Sequence, residues 1–511
     1  MNEPFLHIRR AAGGFEISGQ TDCVAGHKIQ NPARTEVDGV FIEWSWDGNC
    51  LKARNDRYGF YPAYYYADSN QIAVSTSIGR LLESGASRNL DDVALSVFLR
   101  FGSFIGEDTP FREIRALPPN ATLEWHDGRL KVSGRITISK PQTQSHDSAI
   151  DSYISLFRAS VARRLPYNSM VVAPLSGGRD SRHITLELCR QGVRPDFCLT
   201  ADYYPGSEVK NEIHPASLIC RALGLEHVVV RQTRPRISAE ARKNRITGFT
   251  AGVADHSWIL AIRDYLKSRP CAVYDGIGGD VLSAGLFLSE ERLEWSDRGD
   301  YRALYENLFD SIGDGLVKGL FSREMARRLT REAAFERFRE EFLRHADAPN
   351  PIGSFYFWNR TRRHIALGPY AILGSAHDVY SPYLDNDLFD FLTSLPARML
   401  VDHKFHTETI HRAFPGVSHI PWTSAEKGGR PFHRRHMNFA RGALRYLLRN
   451  KSGAWTRRSY TVPRLIRCLL DPHYSSQVNW IGTIAVFLSQ LEGAVRGESE
   501  HEDGLPDLEF D

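Results

Sequence analysis

The chain has 511 residues, of which 42% are hydrophobic and 24% charged, with a formal net charge of +3. This is the composition of a globular protein too long for one ordinary core, so two domains are expected, and the near-balanced charge points to no particular partner. Seven scattered cysteines, with no Cys-x-x-Cys pair and no cysteine–histidine cluster, argue for reduced thiols and against a structural zinc site.

In chain order, Met1-Asn2-Glu3-Pro4-Phe5 lacks the charged-then-apolar pattern of a signal peptide. No run of about 18 apolar residues follows anywhere, which speaks against a membrane span. The expected compartment is therefore cytoplasmic. Residues 1 to about 140 read as strands and turns. Val40–Trp46 and Gln71–Thr76 are β-prone, and Asp47-Gly48-Asn49 and Asp127-Gly128 read as turns. Asp91 to Phe101 predicts a helix with Asp91 near its start. Polar residues 140–147 read as a linker, and a long helix is expected from about Ser148 to Arg164.

The most informative stretch comes next. Met170–Ala173 is an apolar run that reads as a buried parallel strand. Pro174-Leu175-Ser176-Gly177-Gly178-Arg179-Asp180-Ser181 follows, and Arg182–Cys189 reads as a helix. Strand, glycine turn and helix start make an anion cradle, because backbone N–H groups and the helix dipole converge on one point. Ser176 and Ser181 can add hydroxyl donors, and Asp180 can hold a magnesium ion. No Lys-Ser or Lys-Thr follows the glycines, so this is not a Walker-type loop. The competing reading is a glycine turn closing a βα unit, with Asp180 as a helix cap.

Strand and helix then alternate. Asp196–Thr200, His227–Val230 and Cys271–Tyr274 are strands, and Glu212 to Leu223 is a helix with Gly224 as its C-cap. This alternation implies a parallel sheet covered on both faces, with ligands at the carboxyl ends of its strands. A second glycine turn, Asp275–Asp280, follows the last of these strands. Residues 285 to 495 read as mostly helical, and the acidic stretch 497–511 as disordered.

The Ser176–Ser181 string resembles the pyrophosphate-binding loop of the ATP pyrophosphatase group, whose members cleave ATP between the α and β phosphates and pass AMP to an acceptor. Four further stretches, in the same order, make the chain resemble the asparagine-synthetase-like family. They are Arg54–Tyr65, Phe111–Pro119, Asp275–Asp280 and Pro382-Tyr383-Leu384-Asp385-Asn386. The resemblance implies a fold that is α/β and α+β. An N-terminal layered β-sheet domain of N-terminal-nucleophile type, residues 1–140, is followed by a linker at 141–148. An adenylating parallel-sheet domain with a helical extension then spans 149–496, ahead of the tail at 497–511.

The resemblance implies ATP and Mg2+ as cofactors. Ser176, Gly177, Gly178 and Ser181 would hold the pyrophosphate, with Gly276 and Gly278 on the second turn. Asp180 and Asp280 would bind the metal, adenine would pack on Leu175, Leu199 and Thr200, and Lys427 would face the α-phosphate, with Arg430 as substitute. For Lys427 the competing reading is a solvated loop lysine. Asn211 and Glu212 stand where the family has an Asp-Glu pair, which a helix cap explains equally well. Asp255-His256 is a candidate acceptor pocket against the plainer reading of a structural histidine.

Two departures bear on the chemistry. The family's glutaminase uses a cysteine directly after the initiator methionine, where this chain has Asn2. The N-terminal domain is therefore expected not to hydrolyse glutamine. In the second turn Ile277 and Val281 replace family acids, leaving Asp280. The expected activity is a carbon–nitrogen ligase that turns a carboxylate into an acyl-adenylate, releases pyrophosphate, and transfers the acyl group to ammonia or an amine, releasing AMP. The alternative is a catalytically silent nucleotide- or partner-binding scaffold.

From Lys427 to Cys468 there are twelve lysines and arginines and no acid, with Arg441, Arg445 and Arg449 on one helical face. A solvated face explains this run. The sharper reading is docking of an acidic peptide, a carrier protein, an anionic sugar or a membrane surface. Nucleic acid fits least, since no reading motif accompanies the run.

Overall fold

The structure is a computed structural model. It describes residues 3–498 apart from 167–168, 203–211, 233–235, 254–255, 310–317, 375, 424–432, 450–452 and 472–473, with backbone alone at 433–436 and 475–480.

Two five-stranded sheets form the N-terminal part. The first has the order β2-β1-β7-β6-β8, from Gly14–Gly19, Phe5–Ala11, Gln71–Ser75, Tyr64–Ala67 and Arg115–Ala116. The second has the order β10-β9-β5-β4-β3, from Arg129–Ser133, Thr122–His126, Cys50–Asn55, Asp38–Trp46 and Asp22–Ile29. In β5, Leu51, Ala53 and Asn55 point inward while Lys52 and Arg54 point out, the two-residue period of a half-buried strand. Leu6, Ile8, Ile72 and Val74 of one sheet share a core with Val40, Ile42, Leu123 and Trp125 of the other. Helices α1 (Ile78–Glu83) and α2 (Asp92–Phe101) share a second core with Tyr64, Tyr66 and Ala73 of the first sheet. Asp91 caps α2 by accepting from the Ala94 N–H at 2.9 Å, and Gly102 ends it at φ +81°.

Ser145 caps α3 (His146–Arg163), which leads into the third sheet. This sheet is parallel, in the order β13-β12-β11-β14-β15, from His227–Arg231, Phe197–Asp202, Met170–Pro174, Cys271–Tyr274 and Asp378–Tyr380. Helices α4 (Asp180–Arg190), α5 (Ile213–Leu223), α6 (Arg236–Ile246) and α7 (Ile259–Leu266) are interleaved with it. Gly224 ends α5 in the left-handed region at φ +62°. The region expected to be mostly helical contributes the edge strand β15, whose three residues are too short to show a period.

The two halves are fastened through the helix Asn386–Ser394. The Tyr58 hydroxyl donates to Asn386 Oδ1 at 3.0 Å, Arg34 pairs with Asp387 and Asp390 at 2.6 and 2.8 Å, and Arg57 pairs with Asp390. Beneath them, Arg164 is fully buried between Asp38 and Asp385, at 2.8 Å from each, and Arg163 grips Asp385 with two further bonds. At the other end Phe487, from the C-terminal helix Ser475–Arg496, stacks on Phe98 of α2 at 4.9 Å. That helix ends at Gly497, and of the acidic stretch 497–511 all beyond residue 498 lies outside the described residues. Among the described residues no helix is long and apolar enough to cross a membrane. All seven cysteines are free.

Candidate nucleotide site

Both glycine turns sit at the carboxyl ends of neighbouring strands. After β11, the Gly178 N–H donates to Ser176 Oγ and the Ser176 N–H to Ser181 Oγ, each at 3.1 Å, so the turn is closed by its own hydroxyls. A Cβ on Gly177 would fall 1.8 Å from Thr423 Oγ1, and the Thr423 N–H donates to the Gly177 carbonyl at 2.9 Å. After β14, a Cβ on Gly276 or Gly279 would come within 2.8 or 2.6 Å of the Asp180 side chain. Glycine at these positions lets the second turn press against the first residue of α4.

Between the turns lies a cavity of about 290 Å3. Of the residues singled out from the sequence, Leu175, Ser176, Gly178, Asp180 and Ser181 line it from β11 and its turn, and Leu199 and Thr200 from β12. Gly276 lines it from the second turn, beside Asp275, and Glu212 closes one side. Two glycines lie elsewhere. Gly177 backs onto Thr423, and Gly278, at φ +90°, faces Leu282, Phe357 and Leu384 instead of the cavity. The Thr200 hydroxyl donates to the Leu175 carbonyl at 2.6 Å, tying the two strand ends together. Lys427, Arg430, Asn2, Asn211 and Asp255 lie outside the described residues. His256 sits in the left-handed region at φ +62°, with its ring 4.7 Å from that of His364.

The electrostatics of the cavity are dominated by uncompensated acid. Burial, then the charges of Asp280 and Asp275, hold the Asp180 carboxyl well above the usual range, against the pull of Arg179. Burial raises Asp275 to about 6 and also raises Asp280, which the charges of Arg360 and His403 pull back down. Asp180 Oδ1 is buried and finds no hydrogen-bond donor among the described residues, although the side chain as a whole keeps 24% of its surface exposed. Asp280 is not among the residues that line the cavity and acts on Asp180 through its charge. A buried carboxylate oxygen without a donor, in the field of two more carboxylates, is an incomplete shell for a hard divalent cation. Among the described residues no three acidic, histidine or cysteine side chains group closely enough to hold a metal alone. Phosphate or water oxygens would have to complete such a shell.

Several neighbours carry no sequence signal of their own. Arg179 lines the cavity and donates from Nε to Thr407 Oγ1 at 2.7 Å. Arg360 comes from a π-helical segment, Phe357–Ile365. Arg182, at the start of α4, donates to the carbonyls of Ile420 and Pro421 and stacks over Trp422 at 3.8 Å, latching the segment that carries Thr423. Ile277 and Val281, which stand in place of family acids, are core residues at 5% and 1% exposure.

The asparagine synthase family model matches residues 152–494, well over half of the chain. The chain belongs to the asparagine synthase family. A glutamine amidotransferase domain model matches residues 26–134. Within the family, the chain is 28% identical over 207 residues to asparagine synthetase [glutamine-hydrolyzing] 3 of Bacillus subtilis, covering 38% of this chain and 34% of that relative. It thus spans about a third of the length of the curated relative that it matches. Among solved structures, the NMN synthetase of Francisella tularensis matches 39% of this chain and 96% of its own at 13% identity and a TM-score of 0.20. The NH3-dependent NAD synthetase of Campylobacter jejuni matches 40% and 88% at 17% identity and a TM-score of 0.18. Both likenesses are too slight to bear on the fold.

Proposed function

We propose that this member of the asparagine synthase family is an ATP-dependent amide ligase. The observation that carries the reading is the cavity in which two glycine-lined strand ends set Asp180 and Asp275 beside the hydroxyls of Ser176 and Ser181, with Asp280 near enough for its charge to act on Asp180. The work is divided between a domain at 1–140 and an adenylating domain at 149–496, joined at 141–148.

The triphosphate lies along the first turn, where Ser176, Gly178 and Ser181 face the cavity and the α4 N-terminus adds its dipole. Adenine packs on Leu175, Leu199 and Thr200. Asp180 and Asp280 hold a magnesium ion, which when bound offsets the charge on the phosphates. A substrate carboxylate oxygen attacks the α-phosphorus, the bond to the β-phosphate bridging oxygen breaks, and pyrophosphate leaves. Ammonia or an amine then attacks the acyl carbon and gives up a proton, and the bond to AMP breaks. Preorganised donors in a water-poor pocket are the main catalytic device for such charge build-up. Arg179 and Lys427 are the cations for the α-phosphate, and Thr423 anchors the chain four residues before Lys427.

The N-terminal unit serves as a packing partner and not as a glutaminase. Burial pushes the Cys23 thiol up to about 11 and also raises Cys50. A thiol held protonated is a poor nucleophile. The alternative, a silent nucleotide- or partner-binding scaffold, draws on Ile277 and Val281. Carboxylate-dependent ATP–pyrophosphate exchange across a substrate panel decides between them. The ligase exchanges with at least one carboxylate and loses exchange in Asp180→Ala, and exchange that survives this change overturns the reading.

A further inference from the structure

Behind Asp180, on the side away from the cavity, lies a buried polar network that the reaction scheme above does not use. It is reached through a distorted stretch of backbone. Asp402 and His403 both adopt left-handed conformations, at φ +63° and +59°, immediately before the helix Lys404–Ala413. Two consecutive non-glycine residues in this region are costly, and such strain persists where the surrounding structure demands it. Here the kink delivers two histidines to the acid cluster. The charge of His403 acts on Asp280, and His406 reaches Asp180.

His406 is fully buried. Its Nδ1 lies 3.0 Å from Ser283 Oγ and 3.4 Å from Asp180 Oδ1, and its Nε2 lies 3.3 Å from the Tyr383 hydroxyl. Counting protons assigns the tautomer. Ser283 has one hydroxyl proton and gives it to the Gly279 carbonyl at 2.7 Å. Its lone pairs accept the Tyr153 hydroxyl at 2.9 Å and one further donor, which must be Nδ1–H of His406. With Nδ1 protonated, Nε2 of the neutral ring is an acceptor, and the Tyr383 hydroxyl beside it divides its proton between Nε2 and the Tyr153 hydroxyl.

We propose that His406 is a positioning residue for Asp180: its Nδ1–H, shared with Ser283, faces the otherwise undonated Oδ1 and fixes the carboxylate so that its other oxygen is presented to the cavity. The inference rests on the metal-binding role given to Asp180 above. At 3.4 Å the contact is longer than a full hydrogen bond, and it shortens when the carboxylate is drawn into use. Partners of this kind orient metal ligands and fix ring tautomers.

The test uses the full chain. In protein labelled with 15N-histidine, long-range 1H–15N correlation at pH 7 without nucleotide separates the two tautomers, and His406→Asn identifies the signal. The expected signal is Nδ1–H, and Nε2–H overturns the proposal whatever the variants do. Mn2+ affinity is then read by electron paramagnetic resonance with a non-cleavable ATP analogue. Asparagine keeps an N–H near the place of Nδ1, whereas glutamine does not. His406→Gln weakens Mn2+ binding about tenfold or more, and His406→Asn stays within about threefold of the parent. Equal weakening in both variants, or in neither, overturns the proposal. If no carboxylate supports pyrophosphate exchange while the tautomer and Mn2+ results hold, the ligase reading fails and the role of His406 stands.

Discussion

Two clusters of buried acid in this molecule are built on opposite plans. At the joint between the halves, Asp38 and Asp385 are each met by arginine, with Arg164 between them and Arg163 doubling on Asp385. These arginines draw Asp385 below its ordinary value despite burial, whereas at Asp38 burial outweighs Arg164 and leaves the carboxyl raised. Around the cavity, Asp180, Asp275 and Asp280 keep part of their surface exposed, 24% of the side chain for Asp180, and burial still raises all three. Among the described residues, neither Arg179 nor Arg360 makes a hydrogen bond to them. Burying a charge is costly unless it is paired. The first cluster is neutralised by the chain itself, and the second leaves room for a cation brought by a ligand. A built-in partner marks the acids of the joint as structural, and the acids without one are the candidates for a functional role.

The contrast is sharpest under substitution. Asp180→Ala should lower pyrophosphate exchange by about a thousandfold. In the nucleotide-free protein, however, Asp180→Asn should unfold at a urea concentration no lower than the parent, because it removes a charge that burial and neighbouring acids disfavour. Marked destabilisation by this change would erase the distinction between the clusters. Arg164→Ala should cost about 3–5 kcal/mol, since it strands two buried carboxylates, and a urea midpoint within experimental error of the parent would show that the joint is held by other means.

A smaller effect is expected from Gly177→Ala. Its Cβ overlaps Thr423 and would push the two segments apart, weakening ATP binding about tenfold, or ~1.4 kcal/mol, by calorimetry. Unchanged affinity would mean that this close approach does not shape the cradle. The smallest effect is on pH dependence. Asp275 rises from 3.8 to about 6 on folding, so the folded protein binds its proton more tightly than the unfolded chain does. Stability from this group is present below the unfolded value and is lost as pH rises through about 6. Asp275→Asn should flatten that part of the profile of the nucleotide-free protein, and an unaltered profile would assign the slope to other groups.

Much of the site's framework was legible in the residues. An apolar run, a glycine turn and a helix start announce β11, its loop and α4 because each obeys a local rule. The meeting of the two turns followed from the geometry of parallel sheets, since both fall at carboxyl strand ends. What was hidden depends on long-range placement. His406 lies more than two hundred residues from Asp180, and no spacing connects them. Arg360 sits on a π-helical turn whose period differs from the 3.6 residues that patterns detect. Pro382–Asn386 was recognisable only by resemblance, and the structure gives its Asp385 and Asn386 work at the joint, against Arg163, Arg164 and Tyr58. Three-residue β15 carries too little sequence to alternate.

The stacking of Arg182 on Trp422, with the His411 ring 5.8 Å away, has an optical consequence. An indole in contact with a guanidinium and an imidazole emits according to how closely they press on it. Trp422 directly precedes Thr423, which is bonded to the first glycine turn, so the protein contains a native fluorophore at the edge of the cavity. Among nine tryptophans, the signal lost in Trp422→Phe isolates it, and following that signal during mixing with ATP times the arrival of the nucleotide without any attached label.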